Sequence, residues 1–205
     1  MQIYPKARLD ALTDGIFAVA MTLLVLELRV PDQAAADNPG LLQALKELWP
    51  KFFPYLLSFL VLGNSWLAKV RVRVAGEHVT RAYAIAWLAN LFFITCVPFS
   101  TMLVGRYGNV PVAIWVYVGN LGLNGVTSLI MILAMRDAHR QNQADPVGGA
   151  LLLIVSSALA AMVALFAPRY SLGLLLLNAL PIFSHLGAGR RSQVIAGTDS
   201  SGRTP

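Results

Sequence analysis

Arg8-Leu-Asp10-Ala-Leu12-Thr13-Asp14-Gly15-Ile-Phe17-Ala-Val19-Ala-Met21-Thr22-Leu23-Leu24-Val-Leu26-Glu27-Leu28 is the stretch on which the fold turns. One basic and two acidic residues open it, an apolar run from Gly15 to Leu26 follows with only Thr22 interrupting, and Glu27 closes it. Such a segment crosses a bilayer only if neighbouring helices bury its charges or the charges reach the headgroups. At about 3.6 residues per turn, Gly15, Val19, Thr22, Leu23 and Leu26 share one helix face, while Phe17, Ala20, Met21 and Leu24 turn elsewhere. Copies of the first face around an axis would enclose a narrow tube with apolar collars and a ring of hydroxyls, the kind of surface that ion pathways use. The alternative is an ordinary spanning helix whose Thr22 hydroxyl bonds the carbonyl of Ala18 and whose face packs on sister helices.

The surrounding chain agrees with a membrane setting. It has 205 residues, 57% hydrophobic and 13% charged, with a mean hydropathy of +0.63, too apolar for a soluble domain. The net charge of +6 does not point to nucleic acid, because the basic residues sit between apolar blocks without interleaved aromatics; they read as topology signals. Cys96 is the only cysteine, which excludes an intrachain disulfide and a cysteine metal site. A cleaved leader is not expected, since Asp10 and Asp14 interrupt the apolar run before Ala18-Val19-Ala20. Metal-ligand spacing, a nucleophile elbow and a phosphate loop are all missing, so an enzyme is not expected.

Six spans are expected, at about 8–28, 50–68, 82–104, 111–135, 147–167 and 170–187, forming one all-α, polytopic domain over 1–187. Pro31 ends the first. Between it and the second, Leu41, Leu42, Leu45 and Leu48 suggest a short interfacial helix. Trp49 and Trp66 lie roughly 26 Å apart along a helix and suit an aromatic belt at each interface. Gly119, Gly122 and Gly125 should let another helix approach the fourth span closely. Pro181 should kink the sixth, and residues 188–205 read as a disordered cytoplasmic tail. Eleven of the sixteen basic residues fall in 1–11, 69–81, 136–146 and 188–205, which predicts a multi-pass protein of the cell membrane with both termini cytoplasmic. His78 and His139 fall in polar loops, and His185 near an interface.

The residues also carry a resemblance. Arg8, Leu12, Thr13 and Asp14 are similar to the Arg-x-x-x-Phe-Ser-Asp signature of the transmembrane-protein-175 family of bacterial and lysosomal potassium channels. Gly15–Leu26, Tyr55-Leu-Leu-Ser-Phe-Leu-Val with Trp66, and Trp87, Asn90 and Pro98-Phe99-Ser-Thr101 resemble the family in order and spacing over about residues 5–135. The resemblance implies a homotetramer of six-helix protomers around a pore lined by the first helix. It places Val19, Thr22, Leu23 and Leu26 on that pore, the same face as the helical spacing. Leu12 and Thr13 depart from the motif, and Lys69-Val70-Arg71 stands where the family commonly carries histidines, which puts proton-linked behaviour through those histidines in doubt.

The expected site follows. Val19, Leu23 and Leu26 form an apolar gate; Thr22 hydroxyls favour potassium weakly over sodium. Arg8, Thr13, Asp14, Trp66 and Asn90 form a polar knot that anchors the first helix from behind, the alternative for Asp14 being the helix N-terminal dipole. Glu27 either adds negative potential at the mouth or pairs with Arg29. The expected partners are potassium and other monovalent cations, membrane lipid and identical protomers; no cofactor or metal is expected beyond the permeant ion. The competing reading is a proton-coupled secondary transporter or proton-conducting protein.

Overall fold

Helices end close to the limits of the apolar runs, except that one of them continues through two prolines. A computed structural model describes residues 3–30, 38–71, 78–134, 146–166 and 171–179. Five α-helices appear among them: α1 (Lys6–Val25), α2 (Asn38–Arg71), α3 (Arg81–Tyr107), α4 (Pro111–Ala134) and α5 (Pro146–Phe166), followed by a 3-10 helix, Leu172–Ala179. Pro111 and Pro146 each occupy a first helical position, where a missing N–H costs nothing. Thr80 caps α3 by accepting from the Tyr83 amide at 3.3 Å.

Four helices, α2 to α5, are long and apolar enough to cross a membrane. α1 is not among them, because Lys6, Arg8, Asp10 and Asp14 crowd its first nine residues; its 20 residues nonetheless reach about 30 Å. The third, fourth and fifth expected spans match α3, α4 and α5 to within a few residues.

Other expectations need correction. α1 stops at Val25, and Leu26 is its C-cap, with an amide directed to the Leu23 and Leu24 carbonyls. The helix that holds the second span begins well before Pro50, and the Leu41–Leu48 pattern is no separate helix: both belong to α2, which contains Pro50 and Pro54. Each proline deletes one backbone donor, but strong helix formers on either side, with Gln43 Nε2 donating to Glu47 Oε1 at 3.1 Å, carry the helix through. Of the expected span 170–187, a 3-10 helix is described; residues 180–187, with Pro181 and His185, lie outside the described residues, as do 31–37, His139 and the tail 188–205.

A two-stranded antiparallel pair, β1 (Ile3–Pro5) with β2 (His78–Thr80), was not expected from the sequence. Ile3 faces Thr80 and Pro5 faces His78. The pair holds the start of α1 and the start of α3 at one end of the bundle.

α3 packs most extensively on α4, and α4 on α5; α1 lies across α3 and α2. Phe17, Leu24, Leu57, Leu62, Ile94, Ile114, Tyr117 and Leu121 form the continuous core. The glycine stripe on α4 works unevenly. A Cβ on Gly125 would meet Ile154 Cγ1 at 2.9 Å and the Ala150 carbonyl oxygen at 3.3 Å, one on Gly122 would touch Ser157 Cβ at 3.5 Å, and one on Gly119 would meet nothing. Gly125→Leu is therefore expected to cost about 1–3 kcal/mol by overpacking α4 against α5 backbone. Gly119→Ala should leave the thermal midpoint of the purified protein nearly unchanged, and equal midpoints for the two variants would contradict this packing.

Candidate functional site

α1 has two sharply different sides. Thr13, Phe17, Ala20 and Leu24 are buried against α2 and α3, the i, i+4, i+7, i+11 spacing of a single stripe. On the opposite side Val19, Leu23 and Leu26 are 57%, 43% and 55% exposed, with Gly15, Ala18 and Thr22 exposed between them. No part of the described protomer covers this second face.

Its composition separates it from the other exposed faces. α3 presents Ile85, Leu88, Phe92 and Phe99, and α5 presents Leu151, Val155, Leu159 and Met162, large side chains suited to acyl chains. The α1 face carries Leu23 and Leu26 as well, but interleaves them with Gly15, Ala18, Val19 and Thr22, residues that permit close helix approach. The Thr22 hydroxyl donates to the Val19 carbonyl at 2.9 Å, not to Ala18. With its proton committed to the helix, the Thr22 oxygen presents lone pairs outward.

Behind α1, the polar residues divide into two groups instead of one knot. The Trp66 indole Nε1 donates to Asp14 Oδ1 at 2.8 Å, joining α2 to α1. The Trp87 indole donates to Thr13 Oγ1 at 2.9 Å, joining α3 to α1, and Thr13 in turn donates to the Leu9 carbonyl at 2.8 Å. Trp66 is thus partly buried against the core, whereas Trp49 is 74% exposed. Arg8 is exposed, and the described ion pair of this region joins Lys6 to Asp10.

Asn90 belongs elsewhere. Its amide nitrogen lies within 2.9–3.1 Å of Asn124 O, Asn124 Oδ1, Thr127 Oγ1 and Ser128 Oγ, so it ties α3 to α4 and has no part in the Asp14 contact. Two residues absent from the expected site are prominent here. Trp87 holds Thr13, and Ser58 sits in a fully buried trio with Thr101 Oγ1 at 2.7 Å and Tyr117 Oη at 2.9 Å, linking α2, α3 and α4. The available signal for Ser58 was a hydroxyl in mid-span, where a polar group needs a partner.

Two cavities flank α1. One of about 140 Å³, near its start, is lined by Lys6, Asp10, Thr13, Lys69 and Trp87 among others. The second, of about 280 Å³, lies where α1 finishes and includes Glu27, Arg29, Lys51 and Arg106. Glu27 makes no ion pair with Arg29 among the described residues; Arg29 Nε donates instead to the Leu26 carbonyl at 3.1 Å.

With this geometry in hand, comparison with known proteins is informative. Residues 8–98 match the family described as "Endosomal/lysosomal potassium channel TMEM175", a shorter stretch than the 5–135 expected. A potassium channel of Streptomyces collinus is 39% identical over 103 residues, 50% of this chain and 48% of the relative. The zebrafish (Danio rerio) endosomal/lysosomal proton channel TMEM175 is 35% identical over 94 residues, 42% of this chain and 17% of the relative. The match thus spans about half the length of the bacterial relative and less of the animal one. Among solved structures, a lysosomal potassium-selective channel TMEM175 homolog from Chamaesiphon minutus superposes with a TM-score of 0.74 at 25% identity, covering 87% of this chain and 96% of that one.

Proposed function

We propose that the chain is a member of the TMEM175 family, which its residues 8–98 match, and that it is a potassium-permeable cation channel in which four protomers bring α1 together around a central pore. The observation that carries the reading is the two-sidedness of α1: a buried stripe of Thr13, Phe17, Ala20 and Leu24, and an uncovered face of Gly15, Ala18, Val19, Thr22, Leu23 and Leu26 with one hydroxyl. In a homotetramer this face lines the conduit. Val19, Leu23 and Leu26 are apolar collars that dewet and stop flow. Thr22 supplies four hydroxyl oxygens, whose protons are already donated to the Val19 carbonyls, to a partly dehydrated cation. Four weak ligands discriminate less than rings of carbonyls, so selectivity for potassium over sodium is modest. In this reading the protein sits in the cell membrane with both termini cytoplasmic.

The test is reconstitution in planar bilayers with single-channel recording under potassium and sodium gradients. Discrete potassium currents support the channel, and their absence from correctly inserted protein overturns it. Thr22→Ala should lower the potassium-to-sodium permeability ratio about two- to fivefold, corresponding to roughly 0.4–1 kcal/mol of lost differential ligation. An unchanged ratio removes Thr22 from selectivity.

A second reading, proton conduction or a proton-coupled carrier, is favoured by one observation: the animal relatives are named proton channels. Lys69-Val70-Arg71, in place of the histidines expected there, weighs against it in this chain. Acidification of vesicles driven by a pH gradient without potassium current would select this second reading.

A further inference from the structure

We infer that the cavity at the finishing end of α1 is a binding site for the phosphodiester headgroup of a singly charged anionic lipid. Three cations from three separate elements converge there: Arg29 beyond α1, Lys51 on α2 and Arg106 on α3. One carboxylate, Glu27, shares the space and forms no ion pair with any of them among the described residues. The bland account is that Arg29 and Arg106 complement the negative C-terminal ends of α1 and α3. That account leaves Lys51 unexplained, because α2 has no terminus at this level.

Charge counting sharpens the ligand. Three positive charges, one carboxylate and roughly half a negative charge from each of two helix C-termini leave a net of about +1, which matches a phosphodiester better than a dianionic phosphomonoester. Guanidinium groups and an ammonium on different helices suit phosphate oxygens, the former by paired N–H donors.

Depth favours a lipid over a free ion. Lys51 and Lys69 are eighteen residues apart on one helix, about 27 Å, close to the hydrocarbon thickness of about 30 Å. The cavity therefore lies at headgroup level, and Leu28, Tyr55 and Met102 supply apolar wall beside the cations, as basic pockets between membrane helices do when they hold lipid headgroups. Its volume of about 280 Å³ accommodates a phosphate group.

The test is native mass spectrometry of the purified full chain exchanged into phosphatidylglycerol or phosphatidylcholine, which needs no ion current and so stands or falls separately from conduction. The wild type should retain phosphatidylglycerol at least about tenfold over phosphatidylcholine, and Lys51→Gln with Arg106→Gln should bring the ratio near one. Gly105 lines the cavity, and a Cβ there meets nothing within 4 Å. Gly105→Leu should therefore lower retention with every charge in place. Equal retention by the wild type and Gly105→Leu overturns the site. Displacement of the lipid by millimolar inorganic phosphate would assign it to a free anion and overturn the lipid.

Discussion

Replacing Leu23 with asparagine raises potassium flux through reconstituted protein about tenfold or more at equal protein per vesicle. A collar of leucines stops ions because water leaves a narrow apolar constriction and the ion must cross unsolvated. Each asparagine brings a carbonyl and an amide into that constriction, so water persists there. Lowering the barrier by about 1.4 kcal/mol is enough for a tenfold change. The substitution is well placed to report on the pore and not on folding, since Leu23 is 43% exposed and stands outside the buried stripe. The neighbouring Leu24, fully buried in the core, is the contrast: Leu24→Asn should abolish folded protein rather than raise flux. If Leu23→Asn leaves both conductance and open probability unchanged, the gate is not at this collar.

The sequence revealed most where a single physical demand had few solutions. Apolar length gave α3, α4 and α5, and helical spacing separated Phe17, Ala20 and Leu24 from the Val19 face without saying which of the two would be buried. A carboxylate at Asp14 needed a donor, and the Trp66 indole at the far end of the second span was one of few in reach. What stayed hidden depended on rotation and on chain partners far apart in sequence. Trp87 and Asn90 are three residues apart, yet the first bonds Thr13 on α1 and the second bonds α4; the turn of α3 about its own axis, which periodicity in an almost uniformly apolar helix does not reveal, decides between them. The pairing of Ile3–Pro5 with His78–Thr80 has no local signal, since each strand is three residues long. Pro50 marks no helix boundary because the cost of a proline is local, while the helix-forming residues on both sides act together.

Trp66→Phe is expected to be more damaging than Asp14→Asn, and the two together milder than the sum of the two alone. Asparagine keeps an acceptor for the Trp66 indole and removes the charge. Phenylalanine removes the donor and leaves a carboxylate in a membrane helix without that partner. A hydrogen bond to a charged group is worth about 1.5–3 kcal/mol, and Asp14 is exposed in the protomer, so in an isolated subunit solvent screening takes the effect to the lower end or below. In the proposed tetramer that exposed carboxylate would come to lie beside a neighbouring protomer and away from bulk water, and the contribution would approach the upper end for each subunit. The two variants therefore act on assembly more than on the fold of one chain: helix content by circular dichroism stays near wild type, while the tetramer fraction and the potassium current fall together. The helix dipole offers little competition as an explanation, because Asp14 is the ninth residue of α1 and the dipole's influence is spent within the first turn. If Trp66→Phe assembles and conducts as the wild type does, the Asp14 contact is incidental, and α1 is held in place by Thr13, Trp87 and the apolar stripe alone.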